Sequence, residues 1–271
     1  MNFSVCMCVY HRDNPYAFKD ALYSVVNQSL LPSQIVLVVD GPIGDDLHNI
    51  ILSFDCKNID FDVIMLKENK GHAIARQISI ENAKYDLVAI MDSDDIAEYD
   101  RFEKQIQYFK NNSVDVLGGQ IAEFVDSVED IIGFRNVPLN DTSIKKYLKS
   151  RCPFNQMTVM FNKNRVLSIG GYKDWFCNED YYLWIRMFLA GCQFANLPDV
   201  LVKVRVGKDM YQRRGGWKYF KSEANLQKYM LDNKVIGCGC YFYNVFVRFV
   251  VQVLMPNKLR GFVFQKLFRV R

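Results

Sequence analysis

Residues 86–95 read Asp-Leu-Val-Ala-Ile-Met-Asp-Ser-Asp-Asp, an apolar run that ends abruptly in acid. Leu87 to Met91 is too short for a helix and suits a strand buried on both faces. The stretch therefore predicts an interior strand that delivers carboxylates at its C-terminal tip. Alternation along a strand would point Asp92 and Asp94, two apart, the same way. Two carboxylates ~4 Å apart repel by roughly 1 kcal/mol even at the dielectric of water. A divalent cation between them removes that repulsion, and oxygen-only ligands suit Mg²⁺ or Mn²⁺ better than zinc. A solvated acidic loop is the competing use of the same residues.

The flanking sequence supplies the sheet that such a strand needs. Phe3 to Tyr10 reads as a first strand, residues 11–15 as a turn, and Tyr16 to Gln28 as a helix with Phe18, Leu22, Val25 and Val26 inward. Ile35 to Val39 is a second buried strand stopped by Asp40-Gly41-Pro42. A helix (45–54), a third strand (61–66), a turn at Asn69-Lys70-Gly71 and a helix from His72 to Ala83 follow. Strands and helices alternating at such intervals predict a parallel sheet flanked by helices. Ligands of these sheets sit beyond the C-terminal strand ends. Here those ends carry Tyr10-His11, Asp40-Gly41 and Asp92 to Asp95, which suggests a nucleotide site along that rim. The chain has no G-x-x-x-x-G-K-[ST] loop and no G-x-G-x-x-G after the first strand, so a P-loop enzyme or a dinucleotide oxidoreductase is disfavoured. A sugar-nucleotide pyrophosphorylase would also want a glycine-rich turn where His11 to Pro15 has none. Further along, Phe154 to Phe161 reads as a strand near the site.

The 271 residues, half of them hydrophobic, suit one large α/β domain with room for an appendage. The net charge of +4 is unevenly spread. The first 232 residues carry 27 basic and 30 acidic side chains; the last 39 carry seven basic and none acidic. A basic tail points to an anionic partner, membrane or nucleic acid. As a helix, Tyr241 to Leu254 would gather Asn244, Arg248 and Gln252 into one narrow polar stripe with the rest apolar. Leu259 to Val270 would again be amphipathic, so the tail reads as an interfacial anchor, with a core-packing hairpin or a dimer interface as alternatives. Its aromatics lie in apolar runs rather than between cations, which speaks against nucleic acid. Eight cysteines without C-x-x-C pairs argue against zinc, and several, set in apolar runs, read as buried free thiols that suit a reducing cytosol. No window approaches ~18 uncharged apolar residues, and no signal peptide is evident.

With these pieces in order, the chain resembles a family-2 glycosyltransferase of the inverting, A-type fold from Ser4 to about Arg205. The resemblance rests on 4–10, Ile35 to Asp40-Gly41, Asn69-Lys70-Gly71 with Ala75-Arg76, and Met91-Asp92-Ser93-Asp94-Asp95. Gly170-Gly171-Tyr172 and Asn178-Glu179-Asp180 with Trp184 complete it. Three positions depart from the family pattern: Cys8 replaces a proline, His11 an asparagine, and Val39-Asp40 a pair of aspartates. The resemblance implies a single mixed, mainly parallel sheet flanked by helices. It assigns Tyr10 and Asp40 to uracil and ribose, Arg76 to the nucleotide, Asp92 to the ribose, and Asp94 to Mn²⁺ or Mg²⁺. Asp180, in the first turn of a helix capped by Asn178, is the candidate base, with Glu179 beside it.

Residues 205–217 pack four cations, glycines and two aromatics together, which suits a lid in which Arg213 and Arg214 meet phosphates. The Gln-x-x-Arg-Trp pattern of processive members is absent. The segment instead resembles bacterial enzymes that add a second sugar to an undecaprenyl-diphosphate-linked N-acetylhexosamine in O-antigen or exopolysaccharide synthesis. That implies a UDP-sugar donor (galactose before glucose), a β-1,3 link, a polyprenyl-diphosphate acceptor, and a peripheral place on the cytoplasmic face of the bacterial inner membrane. The expected division is a catalytic domain over 1–215 and a basic, amphipathic, membrane-associating helical extension over 216–271. A soluble or protein acceptor, or a catalytically silent sugar-nucleotide-binding scaffold, are the alternatives.

Overall fold

Strand β1 (Phe3–Val9) sends Phe3, Val5, Met7 and Val9 into one layer of the core and Cys6 into the other. A computed structural model of the chain, which describes residues 1–207 and 215–256, shows how the rest assembles on that strand. Helix α1 (Pro15–Val26) follows at once. Asn14 caps it by accepting from the N–H groups of Tyr16 and Ala17, and Pro15 fills the first turn where no donor is needed. Strand β2 (Gln34–Val39), helix α2 (Asp45–Ser53), strand β3 (Asp60–Met65), helix α3 (His72–Glu81) and strand β4 (Leu87–Met91) come next, close to the expected bounds.

These four strands are parallel, in the order β3-β2-β1-β4. The chain thus winds one way from β1 and then returns to its other side, leaving a switch point between β1 and β4. Ligands of such sheets lie beyond the strand ends at the point where the order reverses. Beyond β4 the expected dominance of parallel pairing fails. Strand β8 (Met160–Asn162) runs antiparallel to both β4 and β6 (Val116–Phe124); β9 (Phe194–Arg205) is parallel to β6, while β5 (Ile96–Ala97) and β7 (Ile131–Arg135) pair antiparallel with β9 and β6. The expected strand from Phe154 to Phe161 is mostly not one. Thr158 Oγ donates to the Asn155 carbonyl (2.7 Å), a local bond that competes with a ladder, and residues 156–158 form a turn of 3₁₀ helix before the short β8.

Helices cover both faces. On one, α1, α2 and α4 (Arg101–Asn111) contribute Phe18, Leu22, Leu47, Phe102 and Ile106. On the other, α3, α5 (Asp141–Leu148), α6 (Lys163–Ser168), α7 (Glu179–Leu189) and α8 (Trp217–Asp232) contribute Ile80, Leu148, Val166, Trp184 and Leu226. Trp184 is fully buried, its ring 5.1 Å from Phe154 and 6.5 Å from Phe161. That packing holds α7 on the same face as α3. The shared face decides the chemistry described below.

Helix α9 (Cys238–Phe249) and a π-helical turn over 250–254 close the described chain. The expected polar stripe forms, but it is turned inward: Asn244 and Gln252 are buried, and Arg248 pairs with Glu223 of α8. Arg248 is therefore not one of the cations offered to solvent. The expected helix over 259–270 lies outside the described residues. Among those described, no helix is long and apolar enough to cross a membrane. All eight cysteines are free; Cys6 and Cys192 are buried, whereas Cys177, Cys238 and Cys240 are exposed.

Candidate active site

Along β4, Val88 and Ile90 face the α3 and α7 layer, and Asp92 continues that alternation one residue past the strand. It meets Arg76, which rises from α3 and is 4% exposed. Arg76 Nη2 lies 2.8 Å from Asp92 Oδ1, and Nη1 lies 3.1 Å from Glu179 Oε1 at the start of α7. Burial opposes the charge on Arg76, but Asp92 and Glu179 outweigh it and keep the guanidinium protonated. Burial likewise opposes ionisation of Asp92, yet Arg76 and then His72 hold its pKa below the ordinary carboxylate value. Glu179 goes the other way, pushed up by burial and by Asp180 more than Arg76 pulls it down. The Tyr172 ring lies 6.0 Å from the guanidinium, and its hydroxyl accepts from Gln156 Nε2 at 2.5 Å.

Asp94 lies beyond the reach of strand alternation. The strand stops at Met91, and a turn at Ser93-Asp94 replaces strand alternation there. Ser93 Oγ donates to Asp13 Oδ2 (2.8 Å), and the Tyr10 N–H donates to the same oxygen (3.1 Å), so Asp13 fastens the turn to the end of β1. Asp94 is left at the surface, its pKa lifted to about 6 by its protein surroundings, Asp92 and Asp13. Asp95 is buried and accepts from the Arg205 N–H (2.9 Å), while Arg205 Nε donates to the Asp94 carbonyl (3.3 Å). Among the described residues no three metal-ligating side chains gather into a cage. The donor set nevertheless fits a hard divalent cation. It is all oxygen and carries mutual repulsion that a cation would relieve, with the open side at Asp94 left for ligands from a diphosphate and water.

Asp40 and Tyr10 stand at the two neighbouring strand ends. Both carboxylate oxygens of Asp40 accept from backbone N–H groups, Lys70 at 2.7 Å and Gly71 at 3.0 Å, so Asp40 holds the Asn69-Lys70-Gly71 turn. Gly41 makes this closeness possible: its φ is 88°, and a Cβ there would stand 2.6 Å from the Asn69 nitrogen. The Tyr10 ring meets His11 edge-on at 5.4 Å. His72 opens α3, half-exposed, with Nδ1 3.8 Å from Glu179 Oε1; its surroundings and Arg76 lower its pKa.

Asn178 occupies the cap position of α7 without capping it. Its side chain donates instead to Ser222 Oγ of α8 (3.3 Å) and to the Phe176 carbonyl (3.4 Å). The first turn is served from inside, by Asp180 Oδ1 accepting from the Tyr181 N–H at 2.6 Å. The other Asp180 oxygen accepts from Cys152 Sγ at 3.7 Å. Burial and the nearby Asp180 charge push the Cys152 thiol well up, so it stays a neutral donor. Arg76, Asp92, Glu179 and Asp180 thus come together with Asp94 one turn away. Arg213 and Arg214 lie outside the described residues. Sequence reasoning missed Asp13 and Cys152, and it named Tyr172 only as part of a motif, without a place in the site. Asp13 sits in a turn at the end of the first strand and could have been read as a further acid at the rim; nothing local marks Cys152.

The model of the family described as "Glycosyl transferase family 2" matches residues 4–176. The chain is 35% identical to the amylovoran biosynthesis glycosyltransferase AmsE of Erwinia amylovora, over 97% of this chain and 98% of that one. It is 32% identical to the UDP-Gal:alpha-D-GlcNAc-diphosphoundecaprenol beta-1,3-galactosyltransferase of Escherichia coli, over 98% and 96% of the two chains. Its fold is similar to that of residues 1–349 of S. aureus TarS, solved in complex with UDP-GlcNAc. The TM-score is 0.69 at 15% identity, covering 92% of this chain and 73% of that one.

Proposed function

The chain belongs to glycosyl transferase family 2, and on that premise we propose that it moves a hexose from a UDP-sugar to a sugar carried on a polyprenyl diphosphate. Galactose is the favoured donor sugar and glucose the next, with a β-1,3 link to N-acetylglucosamine or N-acetylgalactosamine, in O-antigen or exopolysaccharide assembly. The observation that carries this reading is the chain of contacts Asp92–Arg76–Glu179, with Asp180 adjoining. It joins the rim where a nucleotide would lie to a carboxylate at the mouth of a helix. The named E. coli relative supports the donor and acceptor classes.

The geometry supports definite roles. Tyr10 would stack on the uracil, and the Asp40 clamp would hold the 69–71 turn against the nucleoside. Asp92, held ionised by Arg76, would accept from the ribose. A Mn²⁺ or Mg²⁺ held by Asp94 would supply positive charge to the diphosphate. Asp180 would take the acceptor proton as its hydroxyl attacks from the face opposite the leaving group, which inverts the anomeric centre. Arg76 shields Asp92 and Glu179 from each other, and among the described residues Asp180 is paired with no cation. Residues 216–271 would serve as the extension that brings the enzyme to the membrane surface where the acceptor resides, on the cytoplasmic side.

A transfer assay tests the reading. With Mn²⁺ present, UDP-galactose, UDP-glucose and UDP-N-acetylglucosamine are each offered to a synthetic lipid-diphosphate N-acetylglucosamine. A β-linked product from UDP-galactose is expected. UDP binding without transfer from any donor would overturn the acceptor assignment, and absence of UDP binding would overturn the donor.

A further inference from the structure

Helix α9 is inside out. Its polar residues face the protein: Asn244 Nδ2 donates to the Lys149 carbonyl (2.9 Å) and to Gln227 Oε1 (2.8 Å). Arg248 pairs with Glu223 and donates through Nη2 to the Ser150 carbonyl (2.8 Å). Its large apolar residues face out, with Phe242 and Tyr243 68% exposed and Phe246 66%. Leu254 (61%) extends the face at one end. Trp217 (56%) joins it from α8, through a ring cluster with Phe220 and Phe249 at 5.3–6.0 Å. A water-facing helix would bury its aromatics and expose Arg248. Here three rings stand in solvent while a guanidinium, an amide and a carboxylate are held inside, an arrangement that wastes apolar burial unless something apolar covers it.

We propose that this outward face of α9, with Trp217, is the surface that enters the bilayer, the lipid being an anionic leaflet. The inference rests on the membrane contact proposed above and specifies how the protein makes it. Charge selects lipid over a second copy of the chain. The 15 residues after Pro256 carry five cations and no acid, a charge that a second copy of the same sequence repeats and does not complement. An anionic leaflet attracts them instead. Aromatic rings with a polar edge, such as Tyr243 and Trp217, suit the headgroup level, and Phe242 and Phe246 suit the acyl boundary beneath it. The buried Arg248–Glu223 pair fixes the rotation of α9, so the domain meets the membrane in one orientation.

The test uses the full chain with vesicles of phosphatidylglycerol and phosphatidylethanolamine. Wild type is expected to co-sediment, and the F242A/F246A variant to bind about tenfold or more weakly, since interfacial binding scales with apolar area. Both should hydrolyse UDP-sugar equally, which shows the variant folded. Brominated lipids should quench tryptophan fluorescence in wild type and lose that quenching in W217F. If wild type binds vesicles and F242A/F246A binds as tightly, the inference fails while membrane association stands. If wild type binds no vesicles, both fail. A dimer that dissociates in F242A/F246A would then reassign the face to a second copy.

Discussion

Arg76 Nη1 stands 3.1 Å from Glu179 Oε1 although 103 positions separate them in the chain. With Asp92 at 2.8 Å on its other nitrogen, Arg76 links the switch point of the sheet to the start of α7. A guanidinium can serve two carboxylates from two nitrogens, whereas a lysine ammonium is one point of charge. Removing it leaves two carboxylates facing each other in a largely buried site. Arg76→Met should therefore destabilise the fold by about 3 kcal/mol, read as a fall in the urea midpoint, because an uncompensated buried charge costs far more than a surface one. Arg76→Lys should fold better than Arg76→Met and still lose most transfer activity, measured as kcat/KM.

Glu179 and Asp180 are neighbours with separate tasks. Glu179 is engaged with Arg76, and Asp180 with a thiol and its own helix N–H. Among the described residues Glu179 has a cationic partner and Asp180 has none, which leaves Asp180 available as the base. Asp180→Asn should lower kcat about 10²–10⁴-fold, the range for loss of a general base, with UDP binding unchanged. Glu179→Gln should cost stability first and kcat less. Equal losses of kcat in the two variants would make Glu179 the base or a partner in that step.

Most of this rim was legible in the sequence because strand ends are marked by a change from apolar to acidic residues, as at Val39-Asp40 and Met91-Asp92. The alternation of β4 even gives the face on which Asp92 emerges. It does not extend to Asp94, since a turn stabilised by Asp13, 80 positions from its Ser93 partner, intervenes. Contacts between distant segments carry no local signature. Cys152 to Asp180 and Asn178 to Ser222 depend on how α7 and α8 lie on the sheet, and Gln156 to Tyr172 on how the segment after α6 returns to residues 156–158. The orientation of α9 was illegible for a different reason. A stripe of polar residues says which residues share a side, and only packing says whether that side meets water.

Gly41 carries a prediction about the nucleotide rim. With φ at 88° and the Asn69 nitrogen 2.6 Å from where a Cβ would be, Gly41→Ala must both strain its own backbone and push the 69–71 turn off Asp40. The backbone term alone is of order 1–3 kcal/mol. Calorimetric titration with UDP should show weaker binding, with the lipid acceptor's KM little changed. Unaltered UDP binding would separate the turn from the nucleotide.

The buried thiols predict how stability responds to base. Burial raises Cys6 from 9.0 to about 12, and the Cys192 thiol is also pushed up by burial. A thiol whose folded pKa lies above its unfolded value keeps its proton in the folded state after the unfolded chain has released it. Stability is then fully present below pH 9 and falls as pH rises from 9 toward 12. The slope for one such group approaches about 1.4 kcal/mol per pH unit. Urea midpoints measured between pH 8 and 10.5 should decline, and less steeply in Cys6→Ala. At pH 8 a thiol reagent should label Cys177, Cys238 and Cys240 quickly and leave Cys6 until unfolding.

The Arg248–Glu223 pair separates anchoring of α9 from the rest of the fold. Both side chains are about a tenth exposed, and Arg248 also serves the carbonyls of Ser150 and Asn244. Losing one partner leaves the other charged and buried, a change that typically costs about 3–5 kcal/mol, whereas replacing both by apolar groups can be nearly neutral. Arg248→Met alone should lower the melting temperature and raise proteolysis within α9. Glu223→Leu alone should do the same. The double variant Glu223→Leu/Arg248→Met should recover most of the loss, and double-mutant-cycle coupling between the two positions should exceed about 1 kcal/mol. Additive single effects would mean that the carbonyl contacts, and not the ion pair, hold α9 in place.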